Sequence, residues 1–318
     1  MGSRKLTDQT LRLRILDIDG SLPAQPGMAA ALRDGRALYV DLRDEERSLR
    51  LWASRRRLRG LAARLAALTP PPGRGPLVTF YGSGDYHHLA AMLIAAVTEP
   101  VTVVHFDNHA DWVRVPATHN CGGWVNRALA LPQVERIVTL GICSDDLVLP
   151  QLKSGNVPAL AAGRLEIHAW RAPPSRVWGR IGDGAGHRRI GRHLVWNCLA
   201  DQDWPAFLDA LIARMPTEAV WVTIDKDVLR SADAATNWDQ GEMPLDALLT
   251  ALRCLAAARR IAGVDICGEY SPPRFSNPIK HVAAWFDHPR AAPVPPEALA
   301  RNDRTNRALV ETLAEVLQ

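Results

Sequence analysis

The most constraining feature of this 318-residue sequence is an apolar run that ends abruptly in charged side chains. Residues 103–106 are largely β-branched and aromatic, which is typical of a buried strand. They lead into residues 107–111, with the sequence Asp-Asn-His-Ala-Asp. Alternation along an extended chain places Asp107, His109 and Asp111 on one side. Such a set suits a divalent metal ion, although short polar clusters also occur in ordinary loops.

Three further predicted strands also end in polar side chains. A glycine-rich turn carrying His87 and His88 follows one of them, and a second apolar run ends in Asp225-Lys226-Asp227. Glu269 follows a third. In a parallel sheet all carboxyl ends lie on one edge, so residues far apart in sequence can converge on one site. We therefore expect these side chains to join residues 107–111.

The spacing of apolar residues predicts an α/β chain in which strands and helices alternate. The pattern is typical of a central, mainly parallel sheet flanked by helices, and we interpret residues 1–318 as a single domain. The proline-rich residues 69–73 then form a loop within it, and residues 172–192 an exposed excursion. The predicted strands are 11–19, 37–41, 77–81, 101–106, 136–141, 164–169, 193–196, 219–224 and 261–266, and the predicted helices are 45–68, 89–97, 125–130, 204–214, 245–260 and 297–317.

Composition excludes several classes of protein. With 47% hydrophobic and 23% charged residues, the chain is neither disordered nor a membrane protein, and no apolar run is long enough to span a bilayer. Neither a secretory signal nor a myristoylation motif is recognisable, so we expect a cytoplasmic protein. The net charge of +4 comes with two arginine clusters, which we interpret as solvated surface rather than a nucleic-acid site. Five scattered cysteines are interpreted as reduced thiols, mostly in the core.

The first predicted strand also ends in a pair of aspartates, Asp17 and Asp19, followed by Gly20. This resembles the first motif of the haloacid-dehalogenase phosphohydrolases, where two such aspartates act as nucleophile and acid. No lysine or acidic doublet on a later strand end completes that site. A turn capped by aspartate and glycine is the simpler interpretation.

Taken together, the motifs resemble the ureohydrolase superfamily of arginases and agmatinases. Its members place a Gly-Gly-Asp-His turn, an Asp-x-His-x-Asp motif and a Ser-x-Asp-x-Asp motif around two manganese ions. The matching segments here are residues 82–87, 107–111 and 223–227, and the resemblance runs from about residue 77 to 275. It implies a three-layer arginase-like fold, an enzyme that hydrolyses C–N bonds, and an oligomer, either a trimer or a hexamer.

The resemblance also implies a metal-ligand set of six residues. Asp107 and Asp225 would bridge two Mn²⁺ ions, with His87 and Asp111 completing one site. His109 and Asp227 would complete the other. Tyr86 is inserted between Asp85 and the histidines, which leaves both His87 and His88 as candidates. Aligning the His-His-Leu segment with the His-Ser-Leu of the family favours His87.

The implied chemistry is attack by a metal-bridging hydroxide on a guanidinium or amidino carbon. Asp111 could orient the hydroxide, and His119 is the candidate that protonates the leaving group. Glu269 matches the family glutamate that receives the substrate's guanidinium, with a structural ion pair as the alternative.

Several departures from the family pattern leave other functions open. Residues 230–243 and the segment after His119 are unlike the usual family loops, and Trp112, Trp124 and Trp238 could line a pocket for a larger or more apolar substrate. A metal-dependent amide deacylase on the same fold is the enzymatic alternative. A metal-binding protein without turnover is the alternative from another class.

Overall fold

A computed structural model gives the fold, and the structure describes residues 11–68, 75–115, 118–275, 277–287 and 295–317. The strands of these ranges, in chain order, are β1 (Arg12–Asp17), β2 (Ala37–Asp41), β3 (Trp52–Ala53), β4 (Leu77–Phe80), β5 (Val101–Phe106), β6 (His119–Asn120), β7 (Val134–Ile142), β8 (Leu165–Ala169), β9 (Ser175–Arg176), β10 (His187–Ile190), β11 (His193–Trp196), β12 (Ala219–Asp225) and β13 (Arg260–Cys267). The helices are α1 (Pro26–Arg33), α2 (Glu46–Leu49), α3 (Arg55–Leu68), α4 (Leu89–Ile94), α5 (Trp124–Leu129), α6 (Val157–Ala161), α7 (Trp204–Ala213), α8 (Leu245–Ala258), α9 (Pro278–Asp287) and α10 (Pro296–Val316).

A central sheet of eight strands organises the molecule. Its order is β2-β1-β4-β13-β12-β5-β7-β8, and every neighbouring pair is parallel. The inner strands are buried on both faces, as β5 and β12 are along their whole length. The prediction of an α/β fold with a mainly parallel sheet is confirmed.

Helices cover the sheet on both faces and give three layers. The core of one face includes residues of α3, α4, α5 and α6, while that of the other includes residues of α1, α7, α8 and α10. Alternation within β5 divides its side chains between them: Val103 belongs to the first core, and Val104 and Phe106 to the second. His105 alternates with Val104, so it projects from the same face as Val103.

The strand register determines which polar side chains meet. In neighbouring strands Ile224 pairs with Phe106 and Asp225 pairs with Cys267. The chain therefore leaves β5, β12 and β13 at the same level. The predicted convergence at the carboxyl edge thus has its structural basis at the centre of the sheet.

The prediction of one long helix over residues 45–68 is wrong. The chain forms α2, breaks at residues 50–54 and resumes as α3. Leu51 has a left-handed backbone (φ 66°), and Trp52–Ala53 pairs with His119–Asn120 as a short antiparallel ribbon. The break turns Arg50 inward, where its guanidinium is fully buried.

Other boundaries differ by a few residues. α4 ends at Ile94 rather than residue 97, and β7 is longer than predicted at both ends. The excursion at 172–192 contains β9 and β10, which form a small antiparallel sheet with β11. The loop predicted at residues 69–73 lies outside the described residues. Within the described ranges, no helix combines the length and the apolar character needed to cross a membrane.

Candidate metal centre

The two aspartate motifs form similar turns at the ends of adjacent strands. Asp107 Oδ1 accepts a hydrogen bond from the His109 amide (2.7 Å), and Asp225 Oδ1 accepts one from the Asp227 amide (3.1 Å). In each motif the first aspartate thus caps the turn that carries the next polar residue. A further bond, from the Asn108 amide to Asp227 Oδ1 (3.0 Å), ties the two turns together.

His87 lies at the centre of one group of carboxylates. Its Nδ1 is 3.0 Å from Asp107 Oδ2, 3.2 Å from Asp111 Oδ2 and 3.7 Å from Asp225 Oδ2. All four side chains are buried. Asp111 is held in place by the Trp124 indole, which donates to its Oδ2 at 2.6 Å. The structure therefore brings these four predicted ligands together.

A second group of potential ligands shares Asp107 with the first. His109 Nδ1 lies 3.0 Å from Asp227 Oδ2 and 3.5 Å from Asp107 Oδ1. The potential ligand atoms of these three residues all lie within 4.8 Å of one another, as do those of His87, Asp107 and Asp111. Five of the six predicted ligands thus form two adjoining sets that share Asp107, which is an arrangement suited to two ions. The sixth, Asp225, lies beside His87 of the first set, with its Oδ2 3.7 Å from Nδ1.

One buried atom tests whether these residues fit a metal. His87 Nδ1 makes no hydrogen bond of acceptable geometry, although three carboxylate oxygens surround it. Its other nitrogen, Nε2, contacts Thr223 Oγ1 at 3.0 Å, and Thr223 donates its own proton to Asp265 (2.8 Å). This leaves Thr223 to accept from Nε2–H, so Nδ1 is the nitrogen that faces the carboxylates. A buried imidazole nitrogen that faces carboxylates without a hydrogen bond fits a cation.

The electrostatics of the cluster also favour a bound cation. Burial and Asp107 raise the pKa of Asp111 to about 6, and burial with Asp225 and Asp107 raises the pKa of Asp227 well above its usual value. Burial opposes protonation of His109, but Asp227 beside the ring raises its pKa well above the ordinary value. Clustered buried carboxylates are costly without compensating cations, and here protons supply that compensation when metal is absent.

Metal affinity should consequently depend on pH. The metal-free protein holds protons on groups that must lose them to bind metal, so raising the pH favours the metal-bound form. Between about pH 5 and pH 7 we expect Mn²⁺ affinity to rise about tenfold per pH unit for each proton displaced. Calorimetry in buffers of different ionisation enthalpy measures the proton release directly. Affinity that does not change over this range would contradict the prediction.

The structure adds residues that the sequence analysis did not assign to the site. His105, treated as part of a strand, contacts Asp107 Oδ2 through Nε2 (2.8 Å) and Thr139 through Nδ1 (3.1 Å). The exposed Asp239 contacts His109 Nε2 (2.9 Å), an arrangement that orients a metal-binding imidazole. Asp239 follows Trp238 in the loop over residues 230–243. The unusual sequence of this loop was the feature that could have drawn attention to Asp239.

The placement of the other predicted histidines is different. Both ring nitrogens of His88 are buried without a hydrogen bond, and burial lowers its pKa to about 3, so this ring is neutral and lies apart from the two ligand sets. His119 is half-buried in β6, where burial and the neighbouring Arg127 lower its pKa. It is not among the described residues that line the cavity. Its role in protonating the leaving group stays a prediction.

Glu269 forms the ion pair that the sequence left as an alternative. Its carboxylate contacts Lys226 Nζ, and both residues are fully buried. Gln25 and Asn302 donate to Oε2 at 2.8 and 3.0 Å, and Asn306 donates to Oε1 at 2.7 Å. Both oxygens of Glu269 are therefore occupied by groups of the chain, and neither is directed at the cavity above the carboxylates.

Asp17 and Asp19 serve as turn caps. Asp17 Oδ1 accepts from the Gly20 amide (2.8 Å), and Gly20 adopts φ 80°, which favours glycine. Asp19 accepts from Ser21 and from the Ser83 amide (3.1 Å). These contacts match the simpler interpretation of this segment.

A cavity of about 320 Å³ opens above the carboxylates. Its wall combines aromatic and apolar side chains with one additional carboxylate, Asp146, whose Oδ2 accepts from the Ala110 amide (2.9 Å). Trp238 lines the cavity, whereas Trp112 and Trp124 are buried behind it. The other described wall residues outside the ligand sets are Leu51, Trp52, Gly84, Val113, Asn120, Cys121 and Gly122.

A larger cavity, about 740 Å³, lies at the opposite edge of the sheet, beside Arg12, Arg14 and Trp221. None of the clusters of three or more potential metal ligands found among the described residues lies there. The smaller cavity, which lies beside the two ligand sets, is therefore the candidate substrate site.

Known family models do not match this chain. A protein of Thermotoga maritima, described as uncharacterized, is 28% identical over 198 residues, which are 62% of this chain and 60% of that protein. The chain thus matches less than two thirds of the length of this relative.

Solved structures resemble nearly the whole chain. The agmatine ureohydrolase of Thermoplasma volcanium is 12% identical, with a TM-score of 0.55 over 96% of this chain and 92% of that one. The arginase from Medicago truncatula is 16% identical, with a TM-score of 0.55 over 98% and 89% of the two chains. At such low identity the likeness establishes the fold. The chain has the arginase-like α/β fold, as the sequence predicted.

Proposed function

We propose that this chain is a divergent member of the ureohydrolase superfamily, a binuclear metal-dependent hydrolase that cleaves a C–N bond of a guanidino or amidino compound. The observation that carries the proposal is the pair of ligand sets sharing Asp107, with the unbonded His87 Nδ1 facing three carboxylates beneath a cavity. The likeness to arginase and agmatine ureohydrolase structures supports it.

The donor atoms indicate which ions suit the centre. The six predicted ligands contribute four carboxylates and two imidazoles, which favours manganese and makes Mn²⁺ the ion for the test. Two bound divalent ions supply a nucleophile from water near neutral pH and polarise the substrate carbon. The protein's task is to hold the ions, orient the substrate and exclude competing water.

The chain's own groups fit these tasks. Asp239 and Thr223 orient His109 and His87 through the ring nitrogens that face away from the cluster. Trp124 holds Asp111 in the first ligand set, because its indole donates a hydrogen bond to Asp111 Oδ2. Trp238 and Asp146 would contact the substrate from the cavity wall.

One observation favours a second candidate function. Because Lys226, Gln25, Asn302 and Asn306 occupy Glu269, the carboxylate that would receive a guanidinium in the family is engaged elsewhere. A neutral amide needs no such carboxylate, and the cavity wall is largely apolar and aromatic. A metal-dependent amide deacylase is therefore the second candidate.

A substrate screen with metal controls tests both candidates. Metal-free protein is reconstituted with Mn²⁺ and assayed on guanidino, formimidoyl and N-acyl compounds for release of urea, ammonia or amine. Asp225→Asn, which removes a ligand charge, serves as the inactive control. Metal-dependent turnover of an amidino compound supports the proposal, and turnover confined to N-acyl compounds supports the deacylase. Tight metal binding without any turnover would contradict both and favour a non-catalytic binding protein.

Asp146 distinguishes a cationic from a neutral substrate. Among the described residues of the cavity wall, Asp146 is the carboxylate that is not a predicted metal ligand. An asparagine at this position can still accept the hydrogen bond from the Ala110 amide. For a cationic substrate we expect Asp146→Asn to raise KM about tenfold or more with a small change in kcat, because a charge-assisted contact is lost. Steady-state kinetics measure both constants. An unchanged KM for such a substrate would exclude contact between Asp146 and the cation.

A further inference from the structure

Cys267 lies at the edge of the His87 ligand set. Its Sγ is 3.3 Å from Asp225 Oδ2, the same oxygen that lies 3.7 Å from His87 Nδ1. The three side chains are buried, and their donor atoms all lie within 4.8 Å of one another. Donor atoms of one ion, bound at about 2.0 to 2.3 Å, lie about 3 to 4 Å apart. The distances from Asp225 Oδ2 to Cys267 Sγ and to His87 Nδ1 both fall within this range.

The backbone explains why a sulfur occupies this position. Cys267 is the last residue of β13 and pairs in register with Asp225 of β12. Gly268 follows with φ 88°, and a Cβ there would lie 2.4 Å from both Asp225 Oδ1 and the Lys226 amide nitrogen. Glycine is required at this turn, and the turn sends Glu269 away toward Lys226. The thiol is thus left beside the cluster while the carboxylate points elsewhere.

An independent feature marks this place as a ligand position. The His87 Nδ1 atom is fully buried and has no hydrogen bond, and Asp225 Oδ2 lies 3.7 Å from it, on the side of the ring opposite the contact of Nε2 with Thr223. An ion placed to accept its lone pair would meet the Asp225 carboxylate and the Cys267 sulfur together.

We propose that Cys267 is a sulfur ligand of the ion held by His87 and Asp225. The inference rests on the proposed function, because it requires a metal centre. As the metal–sulfur bond forms, the S–H bond breaks and its proton passes to the buffer. Sulfur favours zinc, cobalt or ferrous iron over manganese, whereas Asp107, His109 and Asp227 offer only oxygen and nitrogen donors. The two ions would then differ in kind, with the thiophilic ion on the His87 side.

The competing explanation is a thiol that only donates a hydrogen bond to Asp225. Under that explanation Cys267→Ser keeps the donor, and the metal centre is unchanged. Under the proposal, serine removes the sulfur ligand and lowers affinity for Co²⁺ or Zn²⁺ at this site about 100-fold or more, while Mn²⁺ affinity changes little. The two explanations therefore differ in a measurable preference between metals.

Absorption spectroscopy of the full chain with Co²⁺ gives the direct test. We expect the metal-free wild-type protein to develop a sulfur-to-cobalt charge-transfer band in the near ultraviolet as the first ion binds. Cys267→Ser should bind cobalt without that band. Cys254→Ser, which alters a half-buried thiol on α8, should keep it. The wild-type spectrum is informative even if the Cys267 variant does not fold.

The outcomes separate the inference from the proposed function. Cobalt bound by the wild-type chain with no sulfur band would overturn the role of Cys267 and leave the metal-dependent hydrolase intact. A chain that binds neither cobalt nor manganese would overturn both. A band that persists in Cys267→Ser would also reject this residue as the ligand.

Discussion

Asp107→Asn is expected to lower kcat/KM about 1,000-fold or more and to remove at least one of the two metal ions. Asp107 is the carboxylate common to both ligand sets: Oδ2 faces His87 and His105, and Oδ1 faces His109. Asparagine retains the size and one carbonyl oxygen but loses the charge that both ions would share. Steady-state kinetics and elemental analysis of the same preparation measure the two effects.

A matched substitution controls for the loss of a carboxylate as such. Asp209→Asn alters an exposed residue of α7 outside the ligand sets, and it should leave metal content and kinetics unchanged. Far-ultraviolet circular dichroism of both variants verifies the fold. An Asp107→Asn enzyme with full metal content and wild-type turnover would contradict the shared-carboxylate arrangement.

Arg50→Met is expected to cause the largest loss of stability, about 3 to 5 kcal/mol in the free energy of unfolding. The Arg50 guanidinium is fully buried, lies 2.6 Å from Asp85 and donates to Ser271 at 2.9 Å. It also lies over the Tyr86 ring, and these residues flank the turn that carries His87. Methionine fills similar space but leaves Asp85 buried without its cation. Chemical denaturation measures the change.

Two comparisons separate charge from packing. Arg50→Met combined with Asp85→Asn should recover part of the lost stability, because the uncompensated charge is removed. Arg36→Met breaks an exposed pair with Asp34, whose side chains are about half accessible, and should cost less than about 1 kcal/mol. Equal losses for the Arg36 and Arg50 variants would refute a buried structural ion pair.

The parts of the fold that could be predicted from sequence are those determined by local pattern. The β-branched runs before Asp107 and Asp225 are buried strands, because only a doubly covered strand tolerates apolar residues on both faces. Parallel strands bring their carboxyl ends to one edge, so the two aspartate motifs meet. The sequence pattern was therefore sufficient to predict that the two motifs converge.

Long-range pairing is what the local pattern could not reveal. The Arg- and Leu-rich spacing of residues 45–68 is helical throughout, yet Arg50 breaks the helix to reach Asp85, 35 residues away. The turn of Glu269 away from the cavity and into the protein interior depends on Gly268 and on the buried Lys226. Cys267 appeared to be core filler, and four of the five cysteines are in fact only half-buried.

The central claim is tested most directly by the metal content of the full chain, purified without chelator and reconstituted with Mn²⁺. The two ligand sets around Asp107 predict about two divalent ions per chain. Because the Asp225 carboxylate lies 3.7 Å from His87 Nδ1, Asp225→Ala is expected to lose at least one of them. A chain that binds no metal, or an Asp225→Ala variant that keeps both ions, would contradict the proposed binuclear centre.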